Sequence, residues 1–184
     1  MPFSTITAAR PATALPRLAC AVLLALALAA LASSSATAAV RQLSCAGTQS
    51  SNFSPGLTNT PATTTVSYRA ILAPCVSLTD PTVTAGTYSG SFVRVASCTS
   101  LLSSPAGRRT LNWTNGRSSV FEFTSTATYA AGQLVTTLTG AITSGAFAGS
   151  TAIQTLTAVA DLTQCAAPGG VSSLFGAVQL QIVL

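Results

Sequence analysis

Leu134-Val135-Thr136-Thr137-Leu138-Thr139-Gly140-Ala141-Ile142 decides the fold class. Leu134, Thr136, Leu138, Gly140 and Ile142 fall on one face of a period-two chain, the signature of a half-buried strand rather than a helix. Val178, Leu180, Ile182 and Leu184 alternate in the same way with Gln179, Gln181 and Val183. Working outward, runs rich in Thr, Val, Ile, Phe and Tyr over residues 63–72, 86–96, 109–114, 117–129 and 149–160 read as further strands. The breaks between runs carry turn chemistry: Ser54-Pro55-Gly56, Asp80-Pro81, Ser104-Pro105-Ala106-Gly107, Asn115-Gly116, Ala131-Gly132 and Pro168-Gly169-Gly170. Asn115-Gly116 is expected to form a type I′ turn, in which both central residues need φ > 0. Short helical turns are expected near residues 99–103 and 160–165.

About eight strands follow from Cys45, and the expected fold is all-β: a single antiparallel β-sandwich, immunoglobulin-like, with two disulfides. The order Cys98, Trp113, Cys165 is similar to the Cys, Trp, Cys order of immunoglobulin domains, although Thr163 stands where the tyrosine before the second cysteine belongs. A small barrel has the same strand spacing.

The first forty residues fall into three zones: a region with Arg10 and Arg17 and no acids, the apolar run from Leu18 to Ala32, and the small residues Ser33 to Ala39. That is an export signature. Residues 1–38 are read as a signal peptide, with Ala36 and Ala38 at the cleavage site and a cut after Ala39 as the alternative. Residues 39–184 form one secreted domain, extracellular, with no stable membrane insertion once the signal is removed. Neither Cys20 nor Cys45 lies in a lipoprotein cleavage box.

Charged residues make up 6% of the chain, against roughly 25% in ordinary globular proteins. Hydroxyls therefore carry the surface. Beyond residue 38, Arg41, Arg69, Arg94, Arg108, Arg109 and Arg117 face only Asp80, Glu122 and Asp161. Only Arg108 and Arg109 are adjacent, so no basic stripe of the kind a nucleic-acid binder needs is present, and the arginines read as scattered over the surface.

Histidine and lysine are both absent. Ser-His-Asp, Cys-His and Ser-Lys catalysis lack their nitrogen base, and zinc sites lose their imidazole. The three acids each have a structural reading: Asp80 in a turn, Glu122 as a solvent-facing strand residue paired with an arginine, and Asp161 as a helix N-cap. The protein is therefore read as no enzyme, with no metal or cofactor. Trp113 is assigned to the core. Tyr88 and Arg94, on one strand, are the candidates for exposed contact residues.

The chain resembles a group of small secreted proteins of Streptomyces and related actinobacteria through Phe53-Ser54-Pro55-Gly56-Leu57-Thr58, Ala85-Gly86-Thr87-Tyr88-Ser89, Trp113-Thr114-Asn115-Gly116 and Leu138-Thr139-Gly140-Ala141-Ile142-Thr143-Ser144-Gly145. The resemblance implies an export signal, four cysteines and a strand-rich domain, and brings no activity with it. The function expected is a disulfide-stabilised extracellular module that binds an extracellular protein or glycan. The alternative is a protease inhibitor using residues 103–109, with Arg108 or Arg109 as the specificity residue.

Four cysteines allow three pairings, and counting strand crossings selects one. If each strand crosses the domain once, Cys45 and Cys75 stand at one end, while Cys98 and, four strands later, Cys165 stand at the other. Bonded cysteines need Cα atoms within about 7 Å, so the expected pairs are Cys45 with Cys75 and Cys98 with Cys165. Export is tested directly by mass spectrometry of protein recovered from medium: the expected N-terminus is Ala39 or Val40, and a mature product containing Cys20 contradicts the reading.

Overall fold

The computed structural model describes residues 41–184; the expected signal peptide, residues 1–38, lies outside them. Eight antiparallel strands follow one another along the chain: β1 (Arg41–Leu57), β2 (Ala62–Ser77), β3 (Gly86–Ala96), β4 (Ala106–Trp113), β5 (Ser118–Ala130), β6 (Gln133–Gly145), β7 (Thr151–Val159) and β8 (Val171–Val183). Each pairs with the next, and β8 pairs back onto β1, from Arg41 with Val183 to Leu57 with Val171. The all-β class and the strand number expected from the sequence stand, but the sandwich does not. A sandwich keeps two sheets with free edges; here one sheet closes on itself in sequential order as an up-and-down barrel.

Alternation now means interior against exterior. Ala70 and Leu72 of β2, Leu138 and Ile142 of β6, and Val178, Leu180 and Ile182 of β8 point inward and are buried. Two inward glycines let neighbouring strands approach closely. A Cβ on Gly140 would collide with the Glu122 carbonyl oxygen, and one on Gly176 with that of Thr157. Any side chain at either position would force neighbouring strands apart.

The interior is packed at both ends by separate clusters. One holds Leu43, Cys45, Cys75, Val83, Leu111, Trp113, Phe121 and Ile142. The other holds Phe53, Leu57, Val66, Ala96, Cys98, Leu134, Cys165 and Leu174. The disulfides are Cys45–Cys75, between register partners on β1 and β2, and Cys98–Cys165, between two short 3-10 turns at the other end. These are the pairs that the crossing count selects. Trp113 is core, its Nε1 donating to Ser119 Oγ at 2.8 Å. It packs in the cluster of Cys45 and Cys75, not beside Cys98 and Cys165, so the immunoglobulin-like order has no structural counterpart.

Three turns depart from expectation. Pro55 does not end β1; it lies within the strand at an irregularity in the β1–β8 ladder between Asn52 and Leu57, where its missing N–H is not needed. At Asn115-Gly116 only the glycine has positive φ (78°), Gly116 N–H bonds to Trp113 O, and Trp113 N–H bonds to Arg117 O. That is a three-residue connection ending in a glycine bulge, in which Asn115 Oδ1 accepts from Arg117 N. The paired positive φ values occur instead at Ala131 (51°) and Gly132 (77°), between β5 and β6.

An alanine in the left-handed region costs roughly 1 kcal/mol, and asparagine tolerates it better. Ala131→Asn is therefore expected to raise the unfolding free energy by about 0.5–1 kcal/mol in urea titration; an unchanged midpoint would contradict the turn assignment.

Candidate functional site

Between the two packed ends lies a cavity of about 500 Å³. Its walls are largely apolar: Phe53, Val66, Phe123, Leu138, Leu156 and Leu174 line it from β1, β2, β5, β6, β7 and β8. One seam of the barrel beside it is incomplete. β3 and β4 pair only at Gly86 with Trp113 and Thr87 with Asn112. Beyond these the strands separate and Phe92, facing inward in the same alternation as Tyr88 and Arg94, is 44% exposed. Phe92, Arg94, Ser100, Leu101, Ala106 and Gly107 border the opening.

A polar network crosses the barrel at the inner side of the cavity. Tyr88 Oη donates to Gln49 Oε1 at 2.7 Å and accepts from Gln154 Nε2 at 2.7 Å; Gln49 Nε2 donates to Ser51 Oγ, and Arg109 Nη1 donates to Gln154 Oε1 at 3.2 Å. Five groups from β1, β3, β4 and β7 thus meet without a carboxylate among them. The Arg109 guanidinium lies over the rings of Tyr88, Phe123 and Tyr68, at 4.6, 4.7 and 5.4 Å from their centroids. Such cation–π contacts hold a cation where water is scarce.

Burial governs the ionisation of this cluster. Desolvation pushes the Tyr88 phenol up to about 12, against the opposing pull of the nearby Arg109 charge and the hydrogen bond from Gln154. Desolvation also draws Arg109 below the ordinary guanidinium value, partly offset by Tyr88 and Tyr68.

The residues expected from sequence to make contacts are placed differently. Tyr88 is 1% exposed and belongs to the interior network; an amphipathic side chain reads as a surface group only while its strand's inner face is unassigned. Arg94 is not a surface contact either: it points inward, half-buried, to the cavity. The surface-arginine reading thus fails for Arg94 and Arg109, whose strand alternation turns them inside. Of segment 103–109, residues 103–105 are exposed, but Ala106 onward pairs with β5, Arg108 meets Glu122 on the outside at 3.7 Å, and Arg109 is inside. The acids take structural places: Asp80 pairs with Arg117 at 2.8 Å and Asp161 caps its 3-10 turn by accepting from Thr163 N. Both carboxyls are held below the usual range, first by the hydroxyls of Thr82 and Thr163 respectively. Gln49 and Gln154 were not singled out by sequence; Gln154 on the inward face between Ala152 and Leu156 was the available signal.

Compared with protein-family models, curated proteins and solved structures, the chain matches none.

Because Tyr88 holds its proton more tightly folded than unfolded, the stability it confers is full below about pH 10 and is lost as pH rises through about 12. Ultraviolet titration is expected to show a tyrosine step near pH 12 that Tyr88→Phe removes; retention of that step in the variant would contradict the assignment.

Proposed function

We propose that the protein is a secreted, non-catalytic binding barrel that takes an apolar small molecule through the β3–β4 opening. The observation that carries this reading is the cavity of about 500 Å³, walled by apolar side chains and reached through the one incomplete seam. Eight-stranded barrels enclose a space just wide enough to be filled by side chains or to hold one small ligand, and pockets of roughly 300–1,000 Å³ suit ligands of drug-like size. The two disulfides fit an oxidising extracellular setting. They brace both ends of the barrel, so its middle can stay open without collapse.

The absence of histidine and lysine supports a non-catalytic role, since Arg109 stays protonated at neutral pH and the cavity holds no carboxylate to act as a base. The protease-inhibitor alternative gains no support from residues 103–109, because residues 106–109 are committed to the β4–β5 ladder.

Binding is tested with a neutral, environment-sensitive apolar dye followed by fluorescence. The native protein is expected to give saturable binding at one site, and Thr136→Trp, which fills the cavity from β6, is expected to weaken it at least about tenfold while leaving the circular dichroism unchanged. Absence of saturable binding, or equal binding by the filled variant, overturns the reading.

A further inference from the structure

Among the described residues, two buried side-chain polar atoms have no hydrogen-bond partner: Arg94 Nε and Arg109 Nε. Both belong to arginines that line the same cavity. They come from neighbouring strands, β3 and β4, on either side of the incomplete seam. A buried donor without a partner is costly, and a buried cation without a counter-charge more so. Such groups in native structures call for an explanation, and a bound water or ion is one of them.

The chain itself supplies no counter-ion. Asp80 is taken by Arg117 and Asn115 at the Cys45–Cys75 end, Glu122 faces outward to Arg108, and Asp161 caps a turn. None of the three lines the cavity. Packing alone does not account for an arginine at position 109 either. A leucine or methionine would fill the space under the rings of Tyr68, Tyr88 and Phe123 without an orphaned Nε, at the loss of the single bond to Gln154 Oε1. The rings pack around the guanidinium and Gln154 accepts from Nη1, while Nε keeps no partner. Beyond them the cavity continues along Leu134, Leu138, Leu156 and Leu174 with no acidic group.

Resting on the reading of the cavity as a ligand site, we infer that the ligand is an amphipathic carboxylate: its head group bonds to Arg109, and its apolar tail lies along the leucine wall toward the Cys98–Cys165 end. Guanidinium and carboxylate match as a planar, charge-assisted pair. Arg94, at the opening, adds a second positive charge on the path the head group takes inward.

The test compares three molecules with one tail, dodecanoate, dodecanol and dodecyltrimethylammonium, by calorimetry and by displacement of the neutral dye from the native protein. Dodecanoate is expected to bind at least about tenfold more tightly than dodecanol, as one charge-assisted hydrogen-bonded contact implies, with the cation weakest. Arg109→Met is expected to bring dodecanoate down to the affinity of dodecanol measured on the same variant, whereas Arg94→Met lowers dodecanoate less. Equal binding of dodecanoate and dodecanol by the native protein overturns the head-group inference while the binding reading survives. If no probe binds, including the dye, the binding reading itself fails. A preference for dodecanoate that persists in Arg109→Met but disappears in Arg94→Met overturns the assignment to Arg109. Should Arg109→Met not fold, the comparison of the three head groups on the native protein still decides for or against a carboxylate.

Discussion

The pairing of β8 with β1 is the constraint on which the rest of the structure depends. A meander of eight strands has two edges of unpaired N–H and C=O groups, and each invites association. Closure removes both and turns every inward side chain toward one shared interior. Tyr88 on β3 can then reach Gln49 on β1 and Gln154 on β7 at once, contacts that a flat sheet would keep several strands apart. The network, the cavity and the two packed ends all follow from that closure rather than from any single hairpin.

Local structure was legible in the sequence because it is written locally. Alternation at Leu134–Ile142 and Val178–Leu184 located β6 and the end of β8, and turn residues marked most reversals. The strand number was right, and it made the cysteine pairing accessible, because crossing parity depends only on how often the chain reverses. The choice between sandwich and barrel was not legible. Both give each strand one buried face, and the β1–β8 ladder joins segments more than a hundred residues apart without a turn to announce it. The type I′ turn was assigned to Asn115-Gly116 by residue preference, whereas Ala131-Gly132 has the left-handed pair; the bulged loop at Asn115 is secured by its side-chain bonds to Arg117 N and Asp80.

The site was hidden for a related reason. Sequence reading assigns polar side chains to the solvent face, and that rule fails where strands enclose a polar network of their own. Tyr88 and Arg94, expected from sequence as exposed contacts on one strand, share the inward face of β3, on which Ala96 and Gly86 are buried. Arg109 and its neighbour Arg108 read alike in sequence, although one residue's step along a strand sends the first inward and the second outward to Glu122. The low overall charge obscured this further. Few arginines exist, and two of them are spent on the interior.

An incomplete seam is a weakness that the fold must offset, and the second disulfide is placed where it does so. β3 is held by β2 along its whole length, from Gly86 to Ala96, but on its other side it has only two residues paired with β4. Its far end runs into Cys98, which is bonded to Cys165 just before β8. The backbone reinforces the same point: Cys98 N–H bonds to Thr58 O and Asn59 N–H to Cys165 O, so the β1–β2 turn grips both half-cystines. Closing a loop of 67 residues restricts the unfolded chain by up to about 4 kcal/mol in the loop-entropy account. In the folded state the same bond ties the free corner of β3 across to β8. The ladder missing along β3 and β4 can therefore remain missing, and the cavity keeps its opening without the barrel losing its closure.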